Sequence, residues 1–277
     1  TVVPMDFHLD SVIAYYKLAG KEAGEEYFYA NGGVWPHCTA WYVLALQSIG
    51  RVDDAAAFFR GTMTIDGIAR SPMGQPAFYE YRYSNPSSPD FGKIDKPSFL
   101  WAGGFYLSVL YRLYAISENE WNLSVPSVRP AHVDSVSFTL AFGKPKDVVV
   151  RGKGERLAIL RVDGREKPSL VLPLDLAHSR RIEVEFGELR VPYVERLDAI
   201  LHRIGYDRGK RTLQCTVSSF DGHRSRVVVI SRSRPRSVQL DRREVAEVRS
   251  RMESDGAMRT EILFAGSQKN QLLNVVF

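Results

Sequence analysis

The stretch Ser98-Phe99-Leu100-Trp101-Ala102-Gly103-Gly104-Phe105-Tyr106-Leu107-Ser108-Val109-Leu110-Tyr111-Arg112-Leu113-Tyr114, followed by Trp121, Pro126 and Pro130, decides the architecture. Leu100, Gly103, Leu107, Leu110 and Leu113 recur at helical spacing, so a helix is expected from Ser98 to about Tyr114. Its two central glycines allow another helix or a ligand to come close. Past the two prolines the period changes to short alternating runs: Ser135–Phe142, Asp147–Arg151, Leu157–Val162 and Arg181–Phe186. Turn signals at Gly143-Lys144-Pro145-Lys146, Gly152-Lys153-Gly154 and Asp163-Gly164 separate them. A second strand series starts near Val191, with runs at Leu213–Ser218, Arg226–Ser231, Ser237–Leu240 and Glu261–Phe264. Regular short strands of this kind suggest sandwiches. The chain therefore reads as a helical part, residues 1–121, and two β-modules, 122–187 and 188–277.

Working back from Ser98, residues 61–96 form a long segment rich in Gly, Pro, Ser and Asp, a length uncommon in loops without a task. Before it, Asp53 or Asp54 starts a short helix through Phe59. Pro36 opens another that runs through Trp41 and Leu44 to Ser48 and stops at Gly50. Leu9, Val12, Ile13 and Tyr16 mark a first helix over Phe7–Leu18, with Gly20 as its stop.

The formal charge of +5 is unevenly spread. The net values for 1–121, 122–187 and 188–277 are −4, +3 and +6. The basic last module invites a nucleic-acid reading, but in Ser231-Arg232-Ser233-Arg234-Pro235-Arg236-Ser237-Val238 the charges alternate with small or apolar residues. On an extended chain that puts them on one solvated face, and no nucleic-acid motif accompanies them. The longest apolar runs are far short of the roughly 20 residues of a membrane-spanning helix. Neither a nucleic-acid partner nor a membrane is expected. Cys38 and Cys215 sit in different modules without metal-ligand spacing, so both read as small buried hydrophobes, and a reducing, cytoplasmic compartment is favoured. No cofactor or metal motif is present. The first residues lack the basic start and apolar core of a signal peptide, and the absence of an initiator Met suggests an upstream segment.

Two strings carry chemistry. The first is Tyr29-Ala30-Asn31-Gly32-Gly33-Val34-Trp35-Pro36-His37. Paired glycines let backbone approach a ligand, Trp offers a flat face to the C–H groups of a sugar, and Asn and His bond its hydroxyls. The second is Pro76-Ala77-Phe78-Tyr79-Glu80-Tyr81, leading through Ser84-Asn85-Pro86 and Phe91-Gly92 to Phe99-Leu100-Trp101-Ala102-Gly103-Gly104. It sets a lone carboxylate among aromatic rings.

Together these strings resemble the six-hairpin (α/α)6-barrel glycosidases, in particular the processing α-glucosidase and trehalase families and the cellobiose phosphorylase family. The resemblance covers about residues 25–115. It implies a multidomain α + β chain whose helices are the C-terminal hairpins of an (α/α)6 barrel, followed by two antiparallel β-sandwich modules. It also implies an inverting glycoside hydrolase acting on an oligosaccharide or glycoside, with Glu80 as general base and Trp35, His37, Tyr81 and Trp101 lining the sugar site. Inverting hydrolysis needs one carboxylate to activate water and a second carboxylic acid across the scissile bond.

A glycoside phosphorylase that places phosphate near His37 is the alternative implied by the resemblance. The hydroxyl-bearing turn of that family falls here on Ala102-Gly103-Gly104, which favours hydrolysis. A non-catalytic carbohydrate-binding or interaction protein is the reading from another class. Twelve helices with their connections need roughly 200 residues, and only four are read here before the β-region. The general acid of these families lies upstream of the Asn-Gly-Gly motif, so the chain is expected to be inactive alone and to need an N-terminal portion or another subunit.

Overall fold

The computed structural model describes residues 32–70, 73, 77–154 and 156–277. The helix expected over Phe7–Leu18, the Tyr29–Asn31 start of the first motif and Pro76 lie outside the described residues. The chain divides into two compact units, residues 1–113 and 114–277.

In the first unit, α1 (Pro36–Ser48) begins with Pro36 in its first turn after an extended Trp35, where the missing N–H costs nothing. Its buried residues are Cys38, Thr39, Ala40, Val43 and Leu46. The next helix, α2 (Val52–Thr62), carries Asp53 and Asp54 in its first turn and Arg60 in its last, which matches the helix dipole. Ala55, Ala56 and Phe59 form its buried side, and it packs on α1. A single turn, α3 (Ile65–Ala69), is capped by Thr64, whose hydroxyl accepts from the Gly67 N–H at 3.2 Å. The long segment that follows contains an antiparallel ribbon, β1 (Tyr81–Arg82) against β2 (Ile94–Asp95). The last helix is α4 (Leu100–Tyr114).

The expectation of (α/α)6-barrel hairpins is overturned. The chain is mostly β, about 20% helical and 40% strand, with four helices and five sheets among the described residues. A ring of hairpins covers each helix with neighbours on both sides. Here α4 buries only Ala102, Val109 and Leu113, while Leu100 is 90% exposed and Leu107 and Tyr111 share its outward stripe. Helical spacing located α1, α2 and α4 and missed the short α3 inside the segment read as a loop; it carries no information on whether enough helices surround each other to close a ring.

The second unit is built from strands. Two short ones, β3 (Ser117–Glu118) and β4 (Leu123–Ser124), precede β5 (Ser135–Phe142), β6 (Lys144–Gly152), β7 (Leu157–Val162), β8 (Arg165–Glu166), β9 (Val171–Leu172) and β10 (Arg181–Phe186). A five-stranded sheet runs β5-β6-β10-β7-β8, and β3, β4 and β9 form a small one. Inward residues alternate along β6, with Val148 and Val150 buried, and along β10, with Ile182, Val184 and Phe186. A second correction falls here: β6 and β10 pair in parallel, Arg181 opposite Asp147 through Phe186 opposite Gly152, so this module is not purely antiparallel. The residues between 152 and 181 are enough for the crossover that a parallel pair requires. Gly152 makes the close approach possible: its φ is +92°, and a Cβ there would lie 2.2 Å from the Phe186 carbonyl oxygen.

The remaining strands are β11 (Tyr193–Leu197), β12 (Ile200–Asp207), β13 (Thr212–Ser218), β14 (Arg224–Ser231), β15 (Ser237–Leu240), β16 (Arg243–Glu244), β17 (Glu247–Met252), β18 (Met258–Ala265) and β19 (Gln271–Val276). They form two antiparallel sheets, β11-β14-β18-β17 and β12-β13-β19-β15-β16, arranged like a sandwich. Leu201, Leu213, Val217, Val227, Val229, Ile262, Leu273 and Val275 fill the core between them. Cys215 is in that core, and burial pushes its thiol up to about 12. Arg232, Arg234 and Arg236 are all exposed, as alternation requires, although residues 232–236 are irregular rather than a strand.

No sheet spans the connection between β10 and β11, but one hydrophobic cluster does: Tyr193, Val228, Ile230 and Ala257 pack with Leu157, Leu160 and Phe186. An ionic clamp reinforces it. Arg156, only 14% exposed, holds Asp255 in a two-pronged contact at 2.6 and 3.0 Å, and Glu195 beside it pairs with Arg259.

Candidate saccharide-binding site

The two chemical motifs are brought together by backbone. Val34 and Arg82 exchange N–H···O bonds of 2.9 Å in both directions, so the residues after Gly32 run antiparallel to β1. Gly32 itself has a φ of +106°, a conformation that disfavours a side chain. The Ser84 hydroxyl donates to its carbonyl at 2.5 Å. These contacts fix the entry to α1 and thereby the first-turn positions of that helix.

Trp35 is buried and stacks on the fully buried Tyr81 ring, with centroids 5.9 Å apart and planes 26° from parallel. Both rings are therefore an inner layer. His37, in the first turn of α1, is the centre of an outer layer. Trp35 and Trp41 meet it edge-on, each at 4.9 Å and 76°, while Trp101 lies 5.1 Å away and nearly parallel, at 8°. Phe105 closes the cluster at 5.8 Å from both His37 and Trp101. Trp41 and Trp101 are each 54% exposed.

Burial among these rings lowers the His37 pKa, so the imidazole is neutral at pH 7. A neutral ring held face-on against an indole keeps its N–H and its lone pair in the ring plane, where they can donate to and accept from hydroxyls. The exposed indole surfaces offer apolar faces beside it. That combination suits a sugar ring, whose one face is C–H and whose edge is hydroxyl. It suits inorganic phosphate less well, because burial disfavours the positively charged imidazole.

Of the expected site residues, Trp35, His37, Tyr81 and Trp101 fall in one continuous aromatic cluster. Glu80 precedes Tyr81 in the chain, and its N–H donates to the Asp95 carbonyl at 3.1 Å. Its carboxylate, 11% exposed, has Oε2 in an ion pair with the Lys96 ammonium, which also lies 3.6 Å from Asp95.

Sequence reading passed over Trp41, Phe105 and Lys96 as site members. The first two had a usable signal, since His37/Trp41 and Trp101/Phe105 are both i, i+4 pairs on expected helices and so share a face. Lys96 had none, because it reaches Glu80 through the β1–β2 register, in which Tyr81 stands opposite Asp95.

Among the described residues no group of three or more His, Cys, Asp or Glu side chains could hold a metal ion, and no helix is long and apolar enough to cross a membrane. Comparison with protein-family models, with curated proteins and with solved structures finds no match.

Proposed function

We propose that this chain acts on glycosides, with the cluster of His37, Trp41 and Trp101 binding a sugar ring over the inner layer of Trp35 and Tyr81, and Glu80 serving as the base of an inverting hydrolysis. The observation that carries the reading is the near-parallel His37–Trp101 pair flanked by the Trp41 edge. It offers hydroxyl-bonding edges and apolar faces in one place. The base assignment rests on chemistry: an inverting enzyme holds one water between a carboxylate and the anomeric carbon, in a setting with few competing hydrogen bonds. Glu80, flanked in the chain by Tyr79 and Tyr81, is the carboxylate assigned to that water. The reacting partner, a carboxylic acid for the leaving oxygen, belongs to the full mechanism and is not assigned to a residue.

A second reading, non-catalytic carbohydrate binding, is favoured by one observation: the Lys96–Glu80 pair, which neutralises the carboxylate that hydrolysis would use. The two readings diverge on Glu80→Gln. As base, its replacement lowers turnover by about 10²–10⁴-fold and leaves sugar binding unchanged. Both arms are read in the assembled enzyme that includes the portion or subunit carrying the general acid; under the binding-only reading that wild-type assembly releases no sugar from any glycoside tested, while saccharides still shift its tryptophan fluorescence.

A further inference from the structure

Four cationic residues, Arg161, Lys167, Arg190 and Arg208, line a cavity of about 120 Å³ in the β unit, against a single lining carboxylate among the described residues, Glu166. They come from four separate places in the chain. Arg161 is on β7, Lys167 follows β8, Arg190 lies between β10 and β11, and Arg208 follows β12. Folding therefore gathers charge that the sequence keeps apart.

Hydrogen bonds fix the walls. The Lys167 N–H donates to the Leu160 carbonyl at 2.8 Å, the Val194 N–H to Pro168 at 3.0 Å, and the Leu170 N–H to Val194 at 2.8 Å. Ile159 and Tyr193 give a buried apolar lining, and the half-buried Tyr206 adds an aromatic ring.

The neighbouring carboxylates offset part of this charge. Glu166 pairs with Arg208 at 3.2 Å, and Glu185 stands 3.7 Å from Arg190 while also meeting Arg151 at 3.4 Å. Glu183, opposite Arg161 on β10, pairs with Arg181 at 3.0 Å. Glu166 thus offsets Arg208, Glu185 is shared between Arg190 and Arg151, and Glu183 is committed to Arg181. Like charges collected beside apolar walls repel one another until an anion enters, because such a site screens them less than water does. Arginine forks also match the geometry of an oxyanion.

We propose that this notch binds the oxyanion of a small molecule, a phosphate ester or a carboxylate, between Arg161, Lys167, Arg190 and Arg208. A notch of this size admits the oxyanion, and the rest of the ligand lies at the mouth beside Tyr206. A sugar phosphate and a sugar carboxylate share this chemistry.

The test is a calorimetric titration of the full chain with inorganic phosphate, glucose 6-phosphate, glucuronate and, as a neutral control, glucose. Saturable binding of at least one anion with Kd on the order of 1 mM or below, tighter than any binding of glucose and weakened with loss of the notch arginines, is expected. Binding by the phosphates alone identifies a phosphate site, and binding by glucuronate alone a carboxylate site. Arg161→Gln weakens that binding by about 10- to 100-fold, the loss expected for a charged hydrogen-bonding partner, and Arg161→Lys falls between the two. If Arg161→Gln does not fold, the exposed Arg208→Gln carries the same test. Absence of saturable binding for every anion, or equal affinity in the wild type and the variants, overturns the proposal.

Discussion

Of the large hydrophobic side chains exposed among the described residues, eleven lie between Trp41 and Tyr111 and four between Leu174 and Leu272. The second stretch is the longer one, so the contrast is one of kind. In the β unit, period-2 alternation and two-sided sheets give almost every apolar residue a covered face. In the helical unit, α4 buries one side and turns Leu100, Leu107 and Tyr111 outward, and the two most exposed tryptophans surround His37. Covered apolar surface is thus concentrated in the β unit, and exposed apolar surface in the helical one.

That contrast is open to attack by mutation. Leu213→Ala, deep in the sandwich core, is expected to cost about 2–5 kcal/mol, read from urea unfolding followed by circular dichroism. Leu107→Ala, at a position 51% exposed, should change stability by no more than about 0.5 kcal/mol. Equal losses at the two positions would erase the distinction. Gly152→Ala sharpens the β side further: with φ at +92° and the Phe186 carbonyl in the way of a Cβ, more than about 1 kcal/mol should be lost, and an unchanged melting temperature would show that β6 and β10 do not approach so closely.

Smaller effects come from ionisation. The Arg156 guanidinium holds the Asp255 carboxyl down to about 2. The folded value lies below the ordinary one near 4, so the contribution of this pair is full above about pH 4 and fades as pH falls toward 2. Arg156→Gln should flatten that part of the pH–stability profile, and an unaltered acid limb would argue against the clamp. At His37 the sign is the reverse of a paired histidine. Its folded pKa is lowered by burial, so the neutral form is the stabilised one, the contribution is complete above about pH 6.5 and is reduced as pH falls below it. A ring-proton NMR titration of His37 should give a midpoint below about 6.5; a higher one would mean that the imidazole is not enclosed by the rings.

The sequence was legible wherever a local period determines an element. Pro36 and Gly50 bracket α1 as read, and Ser135–Phe142, Leu157–Val162 and Arg181–Phe186 are strands over the same residues. Strand direction was not legible, since the alternation in Arg181–Phe186 is the same whether its neighbour runs parallel or antiparallel. Nor was β19, whose Gln-Leu-Leu-Asn-Val-Val does not alternate cleanly yet forms the interior of a sheet between β13 and β15. The barrel expectation failed for a related reason: residue spacing defines a helix face, while closure depends on how many helices meet it. For the site, the aromatic residues were visible as motifs, but the inner and outer layers were not, because Tyr81 and Trp35 stack only once Val34 pairs with Arg82.

The most direct test of the account is a tryptophan-fluorescence titration of the full chain with a panel of neutral oligosaccharides, repeated on Trp101→Ala. Saturable binding of at least one oligosaccharide to the wild type is predicted, weakened about tenfold by loss of the Trp101 face, with the unfolding transition of the β unit unmoved. Binding of equal affinity in Trp101→Ala, or no saturable response to any member of the panel, would contradict the assignment of the His37–Trp101 cluster as a sugar site.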